Sequence, residues 1–157
     1  MFYVALNPDF YYMPDTVDYA RKSRDRMLPY ISRLRAEGIG YQINFQNLLG
    51  STTGGVDFRE LYGWECLVDQ LGRESTGCAC PIGKRFRESS QQRLKIWAET
   101  KPDIFWLDDD LRMHNHGTPD IPNVKDGYRF DYYCFCNDHI KGFNERFGTS
   151  FTREKLV

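Results

Sequence analysis

The chain has 157 residues, 21 of them basic and 22 acidic, with a net charge of -1; 41% are hydrophobic and 27% charged. These values fit one globular domain over residues 1–157 and argue against a disordered chain. They also argue against nucleic-acid and membrane partners: a near-neutral chain exerts no long-range pull on phosphates, and no apolar run approaches the ~20 residues of a membrane-spanning helix.

The opening residues, Met1 to Pro8, have no basic stretch ahead of an apolar one, so no secretory signal is expected and the location expected is cytoplasmic. Phe2 to Leu6 is a short apolar run closed by Asn7-Pro8-Asp9, which predicts a strand entering a loop. Asp15 and Asp18 open a helix that carries Val17, Ala20, Met27, Ile31 and Leu34 at three- and four-residue spacing. Pro29 should kink that helix or split it in two, and Gly38 is its expected stop. Tyr41 to Phe45 is the next strand, ending in Gln46 and Asn47.

From Gly50 to about Ile82 the Gly, Ser and Thr content predicts a long loop that holds Trp64, Cys66, Cys78 and Cys80. A structureless loop of that length inside a compact domain is usually functional. Arg85 to Thr100 reads as a helix with Phe86, Leu94 and Trp97 on one side. Lys101-Pro102-Asp103 makes a turn. Ile104 to Leu107 then reads as a buried parallel strand that delivers Asp108, Asp109 and Asp110 at its C-terminal end. A second long loop runs from Arg112 to about Tyr133, and a last helix from Cys136 to Phe147 stops at Gly148. The order β-α-β-α-β-α, with three strands, long βα loops and short αβ turns, predicts an α/β fold with a parallel sheet. Functional residues should gather where the strands end. No internal repeat or low-complexity tract is present.

Two compositional features stand out. Aromatic residues reach 15%, and there are five cysteines, an odd number. Aromatics suit flat ring-shaped ligands such as sugars, although most serve cores. Without a secretory signal, unpaired cysteines point to metal binding before a disulfide framework.

Three constellations carry chemistry. In Cys134-Phe135-Cys136-Asn137-Asp138-His139, two thiolates and an imidazole stand where a loop rolls into a helix. Zinc takes four such ligands in a tetrahedron, and the fourth would come from Cys66, Cys78 or Cys80. The plainer reading is buried thiols plus a surface histidine. In Asp108-Asp109-Asp110, adjacent carboxylates repel, so one of them could be a general acid with a raised pKa and another a ligand for a sugar hydroxyl. A solvated acidic turn, pairing with Arg112 and a hard-cation site are the alternatives. In His114-Asn115-His116 the two imidazoles fit a catalytic metal, but no further ligands are visible, and a polar loop lining a cleft is the favoured reading.

At these residues the chain resembles glycoside hydrolase family 42, the β-galactosidases, in the clan of (β/α)8-barrel retaining glycosidases. Phe105-Trp106-Leu107-Asp108-Asp109-Asp110 is similar to the family's W-Q-x-D-N-E strand, which ends in the acid/base. The run from Cys134 to His139, followed by Phe143 and Phe147-Gly148, is similar to its C-Y-C-D-x-C segment and the helix after it. Cys80-Pro81-Ile82-Gly83-Lys84-Arg85-Phe86-Arg87 is similar to its C-P-x-x-P-x-F/Y-R stretch. The likeness is clearest from about Gly38 to Gly148, the third and fourth βα units, with Phe2 to Leu6 as the second strand.

The resemblance implies a structural zinc on Cys80, Cys134, Cys136 and His139. It implies Asp110 as acid/base and Asp109 at the substrate-binding position. Asp108, Arg112, His114, His116, Trp64 and Trp106 would line the cleft for a carbohydrate. Three of this chain's departures from the pattern bear on the site. His139 stands for a cysteine, which zinc tolerates. Asp110 stands for a glutamate and is one methylene shorter, where catalysis depends on sub-ångström positioning. Asp109 stands for an amide, and an ionised carboxylate cannot donate a hydrogen bond.

A whole barrel needs about 250 residues. The expectation is therefore a partial (β/α)8 barrel over its second to fourth strands, with the nucleophile absent from this chain. Its open sheet edges would call for a second copy or for the remainder of a barrel. The rival expectations are a zinc-stabilised carbohydrate-binding or scaffold module without turnover, and a metal-dependent hydrolase using Asp108 to Asp110 with His114 and His116.

Overall fold

The computed structural model of the chain describes residues 3–6, 16–45, 57–107 and 134–156. Its contacts divide the chain into two compact units, one of Met1–Leu48 with Glu88–Leu111 and one of Leu49–Arg87 with Arg112–Val157.

The first unit holds a parallel sheet of three strands in the order β1-β2-β5, formed by β1 (Tyr3–Leu6), β2 (Gly40–Phe45) and β5 (Ile104–Leu107). The class is α/β, as the alternation of elements predicts. Tyr3 pairs with Gly40 and Gln42 with Ile104. Alternate residues of the central strand, Tyr41, Ile43 and Phe45, are buried with Ile31 of helix α1 (Val17–Ala36) and Trp97 of helix α3 (Lys84–Ala98). Leu6, Met27, Leu34 and Leu94 close over this cluster. The period of two on the strand meets the three- and four-residue spacing on the helix, which is what seats a helix on a sheet face.

The ends of α1 follow from capping chemistry. Thr16 accepts the Tyr19 amide at 3.1 Å. Gly38, at φ +69°, lets the chain turn back. Its N–H bonds the Arg35 carbonyl at 3.0 Å and the Ile39 N–H bonds the Leu34 carbonyl at 2.9 Å, the two bonds of a Schellman motif. Of the two outcomes expected at Pro29, a split does not occur: all 20 residues are helical. A proline removes one backbone bond, whereas Met27, Ile31 and Leu34, on both sides of it, share one buried cluster.

A second expectation fails at β5. The strand is parallel and pairs with β2, but it is not buried: Ile104, Phe105, Trp106 and Leu107 are 37–52% exposed. An apolar run reads as buried when both sheet faces and both edges are covered. Here β5 is an edge strand, with no strand beyond it among the described residues.

The second unit corrects the long loop expected over residues 50–82. Within it lie helix α2 (Phe58–Tyr62) and an antiparallel hairpin of β3 (Cys66–Val68) and β4 (Glu74–Ala79). The described strands thus number five in two sheets rather than three. Asp57 caps α2 by accepting the Glu60 amide at 2.9 Å. The hairpin turn is built on Asp69, 2% exposed, which accepts the amides of Leu71 at 2.9 Å and Arg73 at 2.8 Å and the Arg73 Nε at 2.6 Å. One face of the hairpin, with Cys66 opposite Ala79, joins an aromatic cluster of Phe58, Trp64 and Phe86. The other carries Leu67, Cys78 and Cys80 against Cys134. Helix α4 (Asn137–Phe147) ends at Gly148, as expected, and a 3-10 turn, Arg153–Lys155, follows. No described helix is long and apolar enough to cross a membrane.

Candidate metal centre

Three backbone segments of the second unit deliver four ligand atoms to one point. Cys80 follows β4 and precedes α3, Cys134 lies beside β3, and Cys136 and His139 occupy the N-terminal turn of α4. The donor atoms of Cys80, Cys134, Cys136 and His139 all lie within 4.8 Å of one another. Cys80 Sγ is 3.9 Å from Cys134 Sγ, 4.0 Å from Cys136 Sγ and 3.7 Å from His139 Nδ1, and Cys136 Sγ is 3.1 Å from His139 Nδ1. A zinc tetrahedron with sulfur at ~2.3 Å and nitrogen at ~2.0–2.1 Å has edges of about 3.6–3.8 Å. The cluster therefore has the size and donor set of a tetrahedral metal site. All five cysteines are thiols, with no disulfide among them.

Local structure explains each placement. Residues 78 and 80 are two apart and share the hairpin face that meets Cys134. Cys80 is held by its own N–H, which bonds the Glu65 carbonyl at 2.7 Å, and by its carbonyl, which accepts the Gly83 N–H at 2.9 Å. Gly83 is required there, because a Cβ would stand 2.9 Å from the Glu65 Cβ and 3.0 Å from the Cys80 carbonyl oxygen. Gly83 has no side chain to cap α3. Glu65 does so from a distance, its carboxylate accepting the Arg85 amide at 3.1 Å.

The Cys134 segment is pinned by the Phe135 N–H on the Val68 carbonyl at 2.7 Å and by the Val68 N–H on Cys134 Sγ at 3.4 Å. That last bond favours a thiolate at Cys134 and fixes its direction. Arg153 Nε donates to the Phe135 carbonyl at 3.0 Å. On α4 the three-residue spacing puts Cys136, the helix cap, and His139 on one side of the first turn.

Proton sharing among the three thiols makes them unequal. The Cys134 thiol, and after it the Cys80 thiol, hold Cys136 well below the usual thiol range, with the backbone amide and ring of His139 adding to the effect. The same sharing pushes Cys80 up, first through Cys134, and pushes Cys134 up through Cys136.

The two remaining cysteines take no part. Burial pushes the Cys66 thiol up to about 11 and the Cys78 thiol up to about 12. Cys66 sits on the aromatic face of the hairpin and donates to the Trp64 carbonyl at 3.7 Å. Of the three cysteines open on sequence grounds as fourth ligand, the structure brings Cys80 to the cluster.

Other expected site residues stand elsewhere. Trp64 is 4% exposed, its ring 4.6 Å from Tyr62, 5.3 Å from Phe86 and 5.6 Å from Phe58. Trp106 is 52% exposed on β5, in the first unit. Asp108, Asp109, Asp110, Arg112, His114 and His116 lie outside the described residues. Val68, Glu65, Gly83 and Arg153 support the cluster without being foreseen. Only Gly83, two residues past Pro81, left a turn signal in the sequence; the others act through backbone groups or long-range contacts.

Compared with known proteins, the chain matches no family model, no curated protein and no solved structure.

Proposed function

We propose that this chain is part of a glycosidase-like (β/α)8 protein acting on a carbohydrate, with a structural zinc on Cys80, Cys134, Cys136 and His139. The observation that supports this reading is the cluster itself: the four residues implied by the resemblance are the four whose donor atoms converge. Four protein ligands leave no open position, which fits a structural rather than a catalytic metal. When bound, the metal would tie the turn before α3 to the N-terminus of α4, and the protein groups around it would hold the ligands in place. The β1-β2-β5 sheet, parallel and bordered by exposed apolar strands, is compatible with a segment of a barrel wall.

In this proposal Asp110 is the acid/base that protonates the glycosidic oxygen, Asp109 binds a sugar hydroxyl, and the nucleophile comes from outside this chain. Asp108, Arg112, His114, His116 and Trp106 line the carbohydrate site.

Elemental analysis of protein purified without chelator tests the metal; about one zinc per chain is expected, and less than half an equivalent overturns the four-ligand site. Nitrophenyl glycosides test the chain for hydrolysis. Asp110→Asn should abolish hydrolysis, and full activity in that variant removes Asp110 from the acid/base role. If glycoside binding persists with no turnover in any form, the protein is a zinc-stabilised carbohydrate-binding module.

A further inference from the structure

We infer that the metal centre has one reactive corner, Cys136, and that a small hydroperoxide reaching it converts Cys80 and Cys136 into a disulfide and expels the metal. The inference rests on the metal reading above. It comes from the unequal access of the three sulfurs. Cys80 is 2% exposed and Cys134 9%, whereas Cys136 is only half-buried. Cys136 and Cys80 both line a cleft of about 530 Å³, whose wall beside Cys136 is formed by Asn137, Asp138 and Arg153. That wall is polar and suits a small hydrophilic oxidant rather than a lipid peroxide.

The chemistry balances. The Cys136 thiolate attacks one oxygen of hydrogen peroxide; the S–O bond forms, the O–O bond breaks, and hydroxide leaves. The Cys80 sulfur, 4.0 Å away, then attacks the Cys136 sulfenic acid. The S–S bond forms, the S–O bond breaks, and the oxygen departs as water with a proton from solvent. Peroxide gains two electrons and each sulfur loses one. Cys134 is also close, but a Cys134–Cys136 disulfide would close a small strained ring over one residue. Cys80 approaches from a different element. The metal is left with Cys134 and His139, two of the four ligands a tetrahedral site needs.

Cys66 is the internal control. It borders the same cleft but is 5% exposed, sits in the aromatic cluster and is not one of the four. The test takes protein of measured zinc content, adds hydrogen peroxide with a chromophoric zinc chelator, and maps disulfides by non-reducing peptide mass spectrometry. One zinc released and two of the five thiols lost per chain are expected, in a Cys80–Cys136 disulfide. Cys66→Ser should release zinc at a rate within twofold of the parent. Zinc release with Cys80 and Cys136 unlinked, or oxidation that falls first on Cys66 or Cys78, overturns the inference. A preparation without zinc overturns the metal reading alone. The disulfide map of that same sample still decides the thiol chemistry: a Cys80–Cys136 link supports Cys136 as the reactive corner, and its absence refutes it.

Discussion

Cys136 Sγ and His139 Nδ1 lie 3.1 Å apart across the first turn of α4, so the imidazole meets the thiol cluster through Nδ1. A metal held there uses that nitrogen and leaves Nε2 for an outer partner. His139→Ala and Cys80→Ser should each remove a ligand and drop zinc content below half an equivalent. In the parent, chelation should have the corresponding thermal effect. Zinc at about a thousand times its Kd contributes roughly 4 kcal/mol, or about 10 °C in Tm for a chain of this size. A melt with and without EDTA measures it, and an unchanged Tm would show that the metal adds nothing to the fold.

Gly83→Ala tests the turn that presents Cys80. The new Cβ meets backbone as well as side chain, so the turn must open. A destabilisation of roughly 1–3 kcal/mol is expected, with weaker zinc retention against a competing chelator. Urea midpoints and chelator competition report the two effects. A loss of stability with zinc retention intact would separate the turn from the metal.

Cys66 sets an alkaline dependence. Burial raises its folded pKa from the ordinary 9.0 to about 11. The folded state therefore keeps a proton that the unfolded state gives up. Stability from this group is complete below pH 9 and declines as pH rises from there to about 11. Urea midpoints of parent and Cys66→Ala should differ in slope over that window, the variant being flatter. Parallel slopes would mean that Cys66 titrates normally.

Asn144 ties the C-terminal segment to α4. Its Nδ2 donates to the Phe151 carbonyl at 2.8 Å, and its Oδ1 accepts from Thr149 Oγ at 2.8 Å and the Phe151 amide at 2.9 Å. Asn144→Ala should release residues 149–151 at a cost of about 1–2 kcal/mol, read as roughly tenfold faster amide exchange at Phe151. Asn144→Asp keeps both accepted bonds and should restore most of the protection.

What the sequence disclosed was chiefly what is local. The spacing of Cys134, Cys136 and His139 was legible because a loop that rolls into one helical turn brings such residues together wherever the helix packs. The strand from Tyr41 to Phe45 was legible as a short run that needs no distant partner to be recognised. The partner of that ligand trio was not, because choosing among Cys66, Cys78 and Cys80 requires the register of a hairpin whose strands are short and bulged. That hairpin was missed although its turn carries Gly72 at φ +80°, because the turn is organised mainly by one buried side chain, Asp69. At β5 the apolar pattern identified the strand but overstated its burial, since hydrophobicity reports what a residue would bury, not whether a neighbour is present. The candidate catalytic carboxylates rest on their adjacency in the sequence and on the resemblance.

The ligands Cys80 and Cys134 stand 54 residues apart in the chain. A metal bridging them does for the unfolded ensemble what a covalent cross-link would do. Closing a loop of that length removes conformational entropy equivalent to about 4 kcal/mol by the chain-entropy estimate. The intervening segment carries all of α3 and all of β5. Metal capture during folding would thus shorten the search for every contact those elements make, and refolding with zinc present should be faster than refolding in chelator.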